Sequence, residues 1–252
     1  MTKQTVFISG GNRGIGFSLV KAFAQEADTT VFTTARNPDS ATELQKLSKS
    51  SGNIHIVKLD VNSEESIQAA EAAIAAITKE IDIFISNSGI ADFDGYALNT
   101  KRPNWIKHYT TNTLGPILLF QALFPLIEKG KLKKAFFISS EAASFQLELP
   151  IPTAAYGQSK AALNYTVREL ALDLKKDGFT IAPFHPGVVD TDMAKKGAVK
   201  LGALDPKSAS LFDPANVITP DQSASYLKKL IEGLKPEDTG KFFAYDGSEI
   251  PW

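Results

Sequence analysis

A doubly wound α/β fold on one mostly parallel, seven-stranded sheet is predicted by two features of the sequence. Short apolar runs rich in β-branched and aromatic residues recur at 5–9, 29–34, 53–59, 81–86, 133–139, 179–184 and 241–244, and runs of that length and composition read as buried strands. Between them lie stretches of helical spacing at 14–27, 39–50, 63–79, 102–128, 153–176 and 220–234. Strand-helix-strand repetition joins parallel neighbours by crossovers and covers the sheet on both faces.

Each element carries its own signals. The helix at 14–27 follows a glycine-rich turn and places Phe17, Val20 and Phe23 on one side. For the helix at 63–79, Ser63 is the expected N-cap, and Glu64 and Glu65 put negative charge in the first turn. Within 102–128, Pro116 falls four residues after Asn112. A proline there offers no N–H to the Asn112 carbonyl, which is left free to hold a water, the alternative being a kink needed only for packing. Residues 187–219, with Gly187, Gly197, Gly202, Pro206 and Pro214 and no strand pattern, read as a long loop with room for a short helix; loops of that length are usually lids or disordered. No internal repeat or second domain is visible, so residues 1–252 are expected to form one domain with a substrate loop at 187–219.

Composition excludes several function classes. The formal net charge of the 252 residues is −1, so no polyanion is attracted by bulk charge and nucleic acid is not an expected partner. There is no Cys, which removes disulfides, thiolate nucleophiles and cysteine metal sites. His55, His108 and His185 are scattered without metal-ligand spacing, so no metal site is expected. No apolar run reads as a signal sequence or membrane span, which makes a cytoplasmic protein with no membrane partner the expectation.

The chemistry begins in the turn after the first strand, Ser9-Gly10-Gly11-Asn12-Arg13-Gly14-Ile15-Gly16. Gly10, Gly14 and Gly16 permit a tight turn and close approach of backbone to a pyrophosphate, which then rests on the free N–H groups of the following helix. The residue closing the second strand of a dinucleotide fold selects the cofactor: a carboxylate binds a ribose 2′-OH, an Arg a 2′-phosphate. Here it is Arg36, twenty residues past Gly16 and followed by Asn37, with Arg13 as a second guanidinium. NADP(H) is therefore the expected cofactor, unless both Arg are ordinary surface cations.

Tyr156 and Lys160 stand four apart on a predicted helix and share a face. A Lys⁺ beside a phenol favours the phenolate, so the Tyr pKa is expected to fall and the group to exchange a proton near neutral pH.

With these features in this order, the chain resembles the short-chain dehydrogenase/reductase family over essentially its whole length. More narrowly, Ser9–Gly16, Thr34-Ala35-Arg36-Asn37-Pro38, His185-Pro186-Gly187 and the final Tyr245 to Trp252 are similar to the sniffer/C-factor-like carbonyl reductase branch. The resemblance implies a Rossmann fold and assigns roles. Asn112, Ser140, Tyr156 and Lys160 match its catalytic set, with Tyr156 as proton donor, Ser140 hydrogen-bonding the substrate oxygen and Lys160 on the cofactor ribose. The cofactor contacts it implies, besides the glycine loop and Arg36, are Asp60, Val61, Asn87, Ser88, Gly89, Pro186, Gly187, Val189 and Thr191. Ser86 and Ser88 depart from its usual NNAG pattern, and Ser140 precedes Tyr156 by sixteen residues, a longer gap than is common. Ser139 is the alternative serine; a strand points only one of two neighbours into the site.

An NADPH-dependent reduction of a ketone or aldehyde is what this combination implies. An idle NADP-binding regulatory protein and a sugar-nucleotide epimerase are alternatives, opposed by the intact catalytic set and by the glycine spacing respectively. For the substrate, residues 90–100, 141–155 and 187–219 build the pocket. Val188, Met193, Ala198, Val199, Leu201, Leu211 and Phe212 are expected to give it an apolar wall, favouring a neutral, hydrophobic or aromatic carbonyl compound. His185 is expected to serve packing or a local hydrogen bond. Oligomeric state stays open, a homodimer being compatible with the sequence.

Overall fold

The computed structural model describes residues 4–149, 151–205, 212–213 and 215–252. Seven strands form one sheet in the order β3-β2-β1-β4-β5-β6-β9: β1 Gln4–Ile8, β2 Thr29–Ala35, β3 Ile54–Lys58, β4 Ile83–Ser86, β5 Lys134–Ile138, β6 Thr180–His185 and β9 Phe243–Ala244. Every pairing is parallel. The order reverses between β1 and β4, and the carboxyl ends beside such a switch point are where α/β sheets bind ligands.

Alternation along each strand builds two cores. In β1, Phe7 faces one side while Val6 and Ile8 face the other, and in β5 Phe137 and Phe136 divide in the same way. Phe7, Phe84 and Phe137 of the sheet and Phe120 of α5 (Gly115–Ile127) form an aromatic cluster in the core shared with α3 (Glu64–Ala75) and α6 (Ala154–Asp173). Leu19, Val20, Phe23, Leu227 and Ile231 fill the opposite side from α1 (Gly14–Ala24) and α8 (Pro220–Gly233). Each such side chain contributes roughly 1.5–3 kcal/mol on burial.

Local signals behave as chemistry requires. Ser63 Oγ accepts from Ser66 N at 3.1 Å and caps α3, which stops at Ala75 rather than running to 79. α8 opens with a capping box between Thr219 and Gln222 and closes with Lys134 Nζ donating to the Ile231 and Glu232 carbonyls at 2.8 and 2.9 Å, a cation on the negative helix end.

The helix expected at 102–128 is broken in three: α4 (Arg102–Tyr109), a π-helical segment Thr110–Leu114 holding Asn112, and α5. Gly115 N reaches back to Thr110 O, and Pro116 follows as the second residue of α5. A proline without an N–H is the expected cause of such an interruption, and π turns concentrate at functional sites. Contrary to the sequence expectation, this run is long and apolar enough to cross a membrane; its most apolar window is 56% buried, with Leu119, Phe120 and Leu123 packed against the sheet.

The expectation of a long loop with room for a short helix at 187–219 needs the larger correction. β7 (Val188–Val189) pairs in parallel with β8 (Val217–Ile218), and α7 (Asp192–Leu204) is a full helix of 13 residues. Two-residue strands are too short to show alternation, and the glycines at 197 and 202 masked the helical pattern. Leu201 is buried, whereas Val199 is 75% exposed and adds nothing to a wall. Leu211, Pro206 and Pro214 lie outside the described residues.

Candidate active site

The glycine turn is held by its neighbours. Gly10 N donates to Thr34 Oγ1 and Gly11 N to Thr34 O, each at 3.0 Å, while Asn87 Nδ2 donates to the Ser9 and Gly10 carbonyls at 3.1 and 3.2 Å. Gly10 and Gly14 adopt φ of +70° and +56°, values that side chains disfavour. A Cβ on Gly16 would lie 2.2 Å from Gly10 O. The side chain of Asn87 is thus spent on the loop, and Ser9 Oγ accepts from the N–H groups of Asn87 and Ser88 at 2.9 and 3.0 Å. α1 begins at Gly14 with no capping side chain and no acid in its first turn. Its N–H groups therefore face a cradle lined by glycine, as a phosphate requires.

Arg13, Asn12, Arg36 and Asn37 are exposed around this cradle, and among the described residues neither Arg has an ion-pair partner. Asp60 sits at the carboxyl end of β3 with Oδ1 accepting from Asn62 N at 3.0 Å, and Val61 is buried beneath Gly115. On the far side, the Pro186 carbonyl accepts from Ser223 Oγ at 2.7 Å, Gly187 has φ of +86°, and Val189 is buried in β7. Thr191 caps α7, Oγ1 accepting from Ala194 N at 3.2 Å, and its methyl lies 3.3 Å from where a Gly14 Cβ would stand. The predicted cofactor residues therefore gather along the carboxyl edge of the sheet.

Of the two serines, Ser139 donates to Asn164 Oδ1 at 2.6 Å inside the core, while Ser140 Oγ accepts from Ala142 N at 3.2 Å and favours the Tyr156 phenolate. Strand alternation makes the choice, and the longer loop to Tyr156 folds into a short turn, Glu141–Ala143, that leaves Ser140 in place. His185 secures that turn: its Nδ1 accepts from Glu141 N at 3.3 Å, the local hydrogen-bonding role expected of it. Lys160, 5% exposed, donates from Nζ to Ile138 O at 2.8 Å.

Asn112 is fully buried and its amide is fully used. Oδ1 accepts from Ile90 N at 2.8 Å, and Nδ2 donates to Ile90 O at 2.9 Å and to Ser159 Oγ at 3.0 Å. Ser159 Oγ in turn donates to the Tyr156 carbonyl at 2.7 Å. The side chain thus staples the loop after β4 to α6, so any direct part in catalysis falls to its backbone.

The electrostatics depart from the sequence expectation. The Tyr156 pKa is raised, first by burial, against which the Ser140 hydrogen bond works, with the Glu141 carboxylate adding to the rise. Burial also lowers Lys160 from 10.5 to about 8. A low-dielectric surround disfavours both charged forms, and it overrides the Lys-on-Tyr effect. Sequence reading also missed His108 and Phe93, whose rings stand edge to face with Tyr156 at centroid distances of 6.3 and 5.5 Å. Neither has a motif, because each arrives from the loop and helix after β4.

A glycine cradle at the switch point, with a buried Lys160 and the half-buried Ser140 and Tyr156 beside it, defines an oxidoreductase of dinucleotide-binding type. The family model for short chain dehydrogenase matches residues 4–200, and the chain belongs to the short-chain dehydrogenase/reductase family. An uncharacterized oxidoreductase of Schizosaccharomyces pombe is 44% identical over 251 residues, covering 100% of this chain and 99% of that one. Among solved structures, NADPH-bound carbonyl reductase from chicken fatty liver superposes with a TM-score of 0.88 at 30% identity, covering 100% of this chain and 95% of the other. Carbonyl reductase Sniffer of D. melanogaster gives 0.86 at 27% identity, with both chains covered in full. The likeness to the sniffer branch expected from the sequence is thus met in the fold.

Proposed function

We propose that this protein is an NADPH-dependent carbonyl reductase, a single NADP-binding domain that reduces a neutral ketone, aldehyde or diketone to the alcohol. The observation that carries the reading is the Ser140 hydroxyl acting on the Tyr156 phenol, with Lys160 buried one turn further along α6, at the edge of a cradle that a Cβ would fill. The loop Gly10–Gly16 and the α1 terminus would hold the pyrophosphate, Arg36 and Arg13 the 2′-phosphate, Asp60 and Val61 the adenine side, and Asn87 to Gly89 with Pro186 to Thr191 the nicotinamide side. NADPH, when bound, supplies the hydride.

The chain's own groups supply the rest. Tyr156, kept protonated by its buried setting, has the transferable proton that an alkoxide oxygen needs. Ser140 donates to that oxygen as negative charge develops on it. Lys160, below a pKa of about 8, is cationic at neutral pH and steadies the phenolate that remains.

The surroundings favour a substrate without charge. Glu141 stands near Tyr156 and repels a carboxylate. Lys107 and Lys200 are paired with Asp92 and Lys195 with Asp190, so these cations are occupied. Phe93 offers an aromatic edge beside the phenol. The test is NADPH oxidation over a panel of aryl ketones, diketones, aliphatic aldehydes and keto acids. Turnover of the neutral aromatic members ahead of the keto acids is expected; the reverse order overturns the substrate class, and no turnover at all overturns the reductase.

A further inference from the structure

The segment after β4 is held far more firmly than a surface loop requires. Asp92 N donates to His108 Nε2 at 3.0 Å, and Asp92 O accepts from Asn104 Nδ2 at 3.0 Å. His108 is buried, and its Nδ1 lies 2.9 Å from Asn104 O, so the ring is the neutral tautomer that donates to Asn104 and accepts from Asp92. With its backbone pinned to α4, Asp92 presents its carboxylate to two lysines, Lys107 of α4 at 3.1 Å and Lys200 of α7.

The next residue completes the connection. One side of the Phe93 ring meets Tyr156. Another meets α7 at Gly197, where a Cβ would stand 3.1 Å from Phe93 Cε2. Gly197 and Lys200 are three apart and share a helix face. That face therefore touches the wall of the site at two points, one apolar and one ionic, while Thr191 rests the start of the same helix on the glycine loop.

We propose that Asp92 and Phe93 form a clasp that docks α7 over the carbonyl pocket, with Asp92 acting through Lys200 as a positioning residue for substrate affinity. The ionic half is partly exposed, the side chains being 34% and 50% accessible, so it is individually weak and sensitive to salt. Weak fastening suits a helix that must release a product. The absence of a side chain at 197 lets the helix backbone lie against the ring.

The proposal rests on the reductase reading only for its kinetic readout. Asp92→Asn keeps both main-chain bonds and removes the charge. KM for an aryl ketone should rise about two- to five-fold, with a smaller change in kcat and unchanged NADPH affinity. Lys200→Met should do the same, and the double variant should be no worse than either single one. Sodium chloride at about 0.5 M should raise the KM of the parent and leave Asp92→Asn unmoved. Amide hydrogen exchange across 192–204 should quicken in both single variants, a readout independent of turnover. Additive KM effects, or equal salt responses in parent and variant, overturn the clasp. So does unaltered exchange in 192–204, even if no carbonyl compound proves to be a substrate; absence of turnover with quickened exchange removes the reductase and keeps the clasp.

Discussion

Tyr156 meets two opposed demands, to hold a proton at rest and to give it up to an alkoxide, and its surroundings supply both. Burial raises its pKa while Ser140 supports the phenolate. Tyr156→Phe removes only the hydroxyl, so reduction should fall at least 100-fold, within the range ascribed to a positioned proton donor, with NADPH binding retained; near-parental kcat would exclude the phenol from the chemistry. Lys160 shows the opposite balance, function set against stability. The fall from 10.5 to about 8 corresponds to roughly 3 kcal/mol. Below about pH 8 the folded protein carries the full cost of a buried cation, and from there to 10.5 the unfolded chain keeps a proton that the folded one has released, so stability rises with pH. Lys160→Met should therefore be inactive yet more stable at pH 7, by up to about 3 kcal/mol less the lost bond to Ile138 O, a gain that fades toward pH 10.5. Urea denaturation of both proteins across that range measures it, and a gain that grows with pH would contradict the assignment.

At the scale of elements, the site depends on three pieces meeting: the loop after β4, the π segment and α6. Asn112 joins them through bonds to Ile90 and Ser159. Asn112→Ala leaves the Ile90 N–H and C=O without partners in a half-buried place, at about 1–3 kcal/mol for each group that water does not reach. Unfolding should show a loss of about 2–5 kcal/mol, and kcat should fall because Tyr156 loses its registration. Asn112→Asp retains the acceptor for Ile90 N and should recover part of the stability alone. A variant as stable as the parent would mean that water or a shifted side chain replaces the staple. Here the sequence was partly readable: Pro116 after Asn112 signals a break in the helix, but not that the break takes the form of a π turn, because that depends on how α5 packs under the sheet.

For the whole molecule, the cofactor reading becomes a stability statement. A ligand that binds only the folded state adds about 2.7 kcal/mol at a concentration of 100 times its Kd. NADPH should raise the denaturation midpoint more than NADH at equal concentration. Arg36→Asp should reverse that order, since a carboxylate repels the 2′-phosphate and accepts from the 2′-OH. Equal stabilisation by both cofactors in the parent would show that neither Arg36 nor Arg13 reads the phosphate.

Features whose chemistry is local were legible in the chain. The glycine turn, the strand-end Arg36, the Tyr156/Lys160 spacing and the alternating strands each depend on residues a few positions apart, and backbone geometry turns such spacing directly into placement. Ser140 against Ser139 needed one further step, the direction of β5, which only a folded neighbour at Asn164 settles. The protonation balance, the aromatic enclosure of Tyr156 and the docking of α7 could not be read in advance. Desolvation depends on everything packed around a group, and Phe93, His108, Gly197 and Lys200 come from separate stretches of chain that become neighbours only when the sheet and its crossovers close around the site.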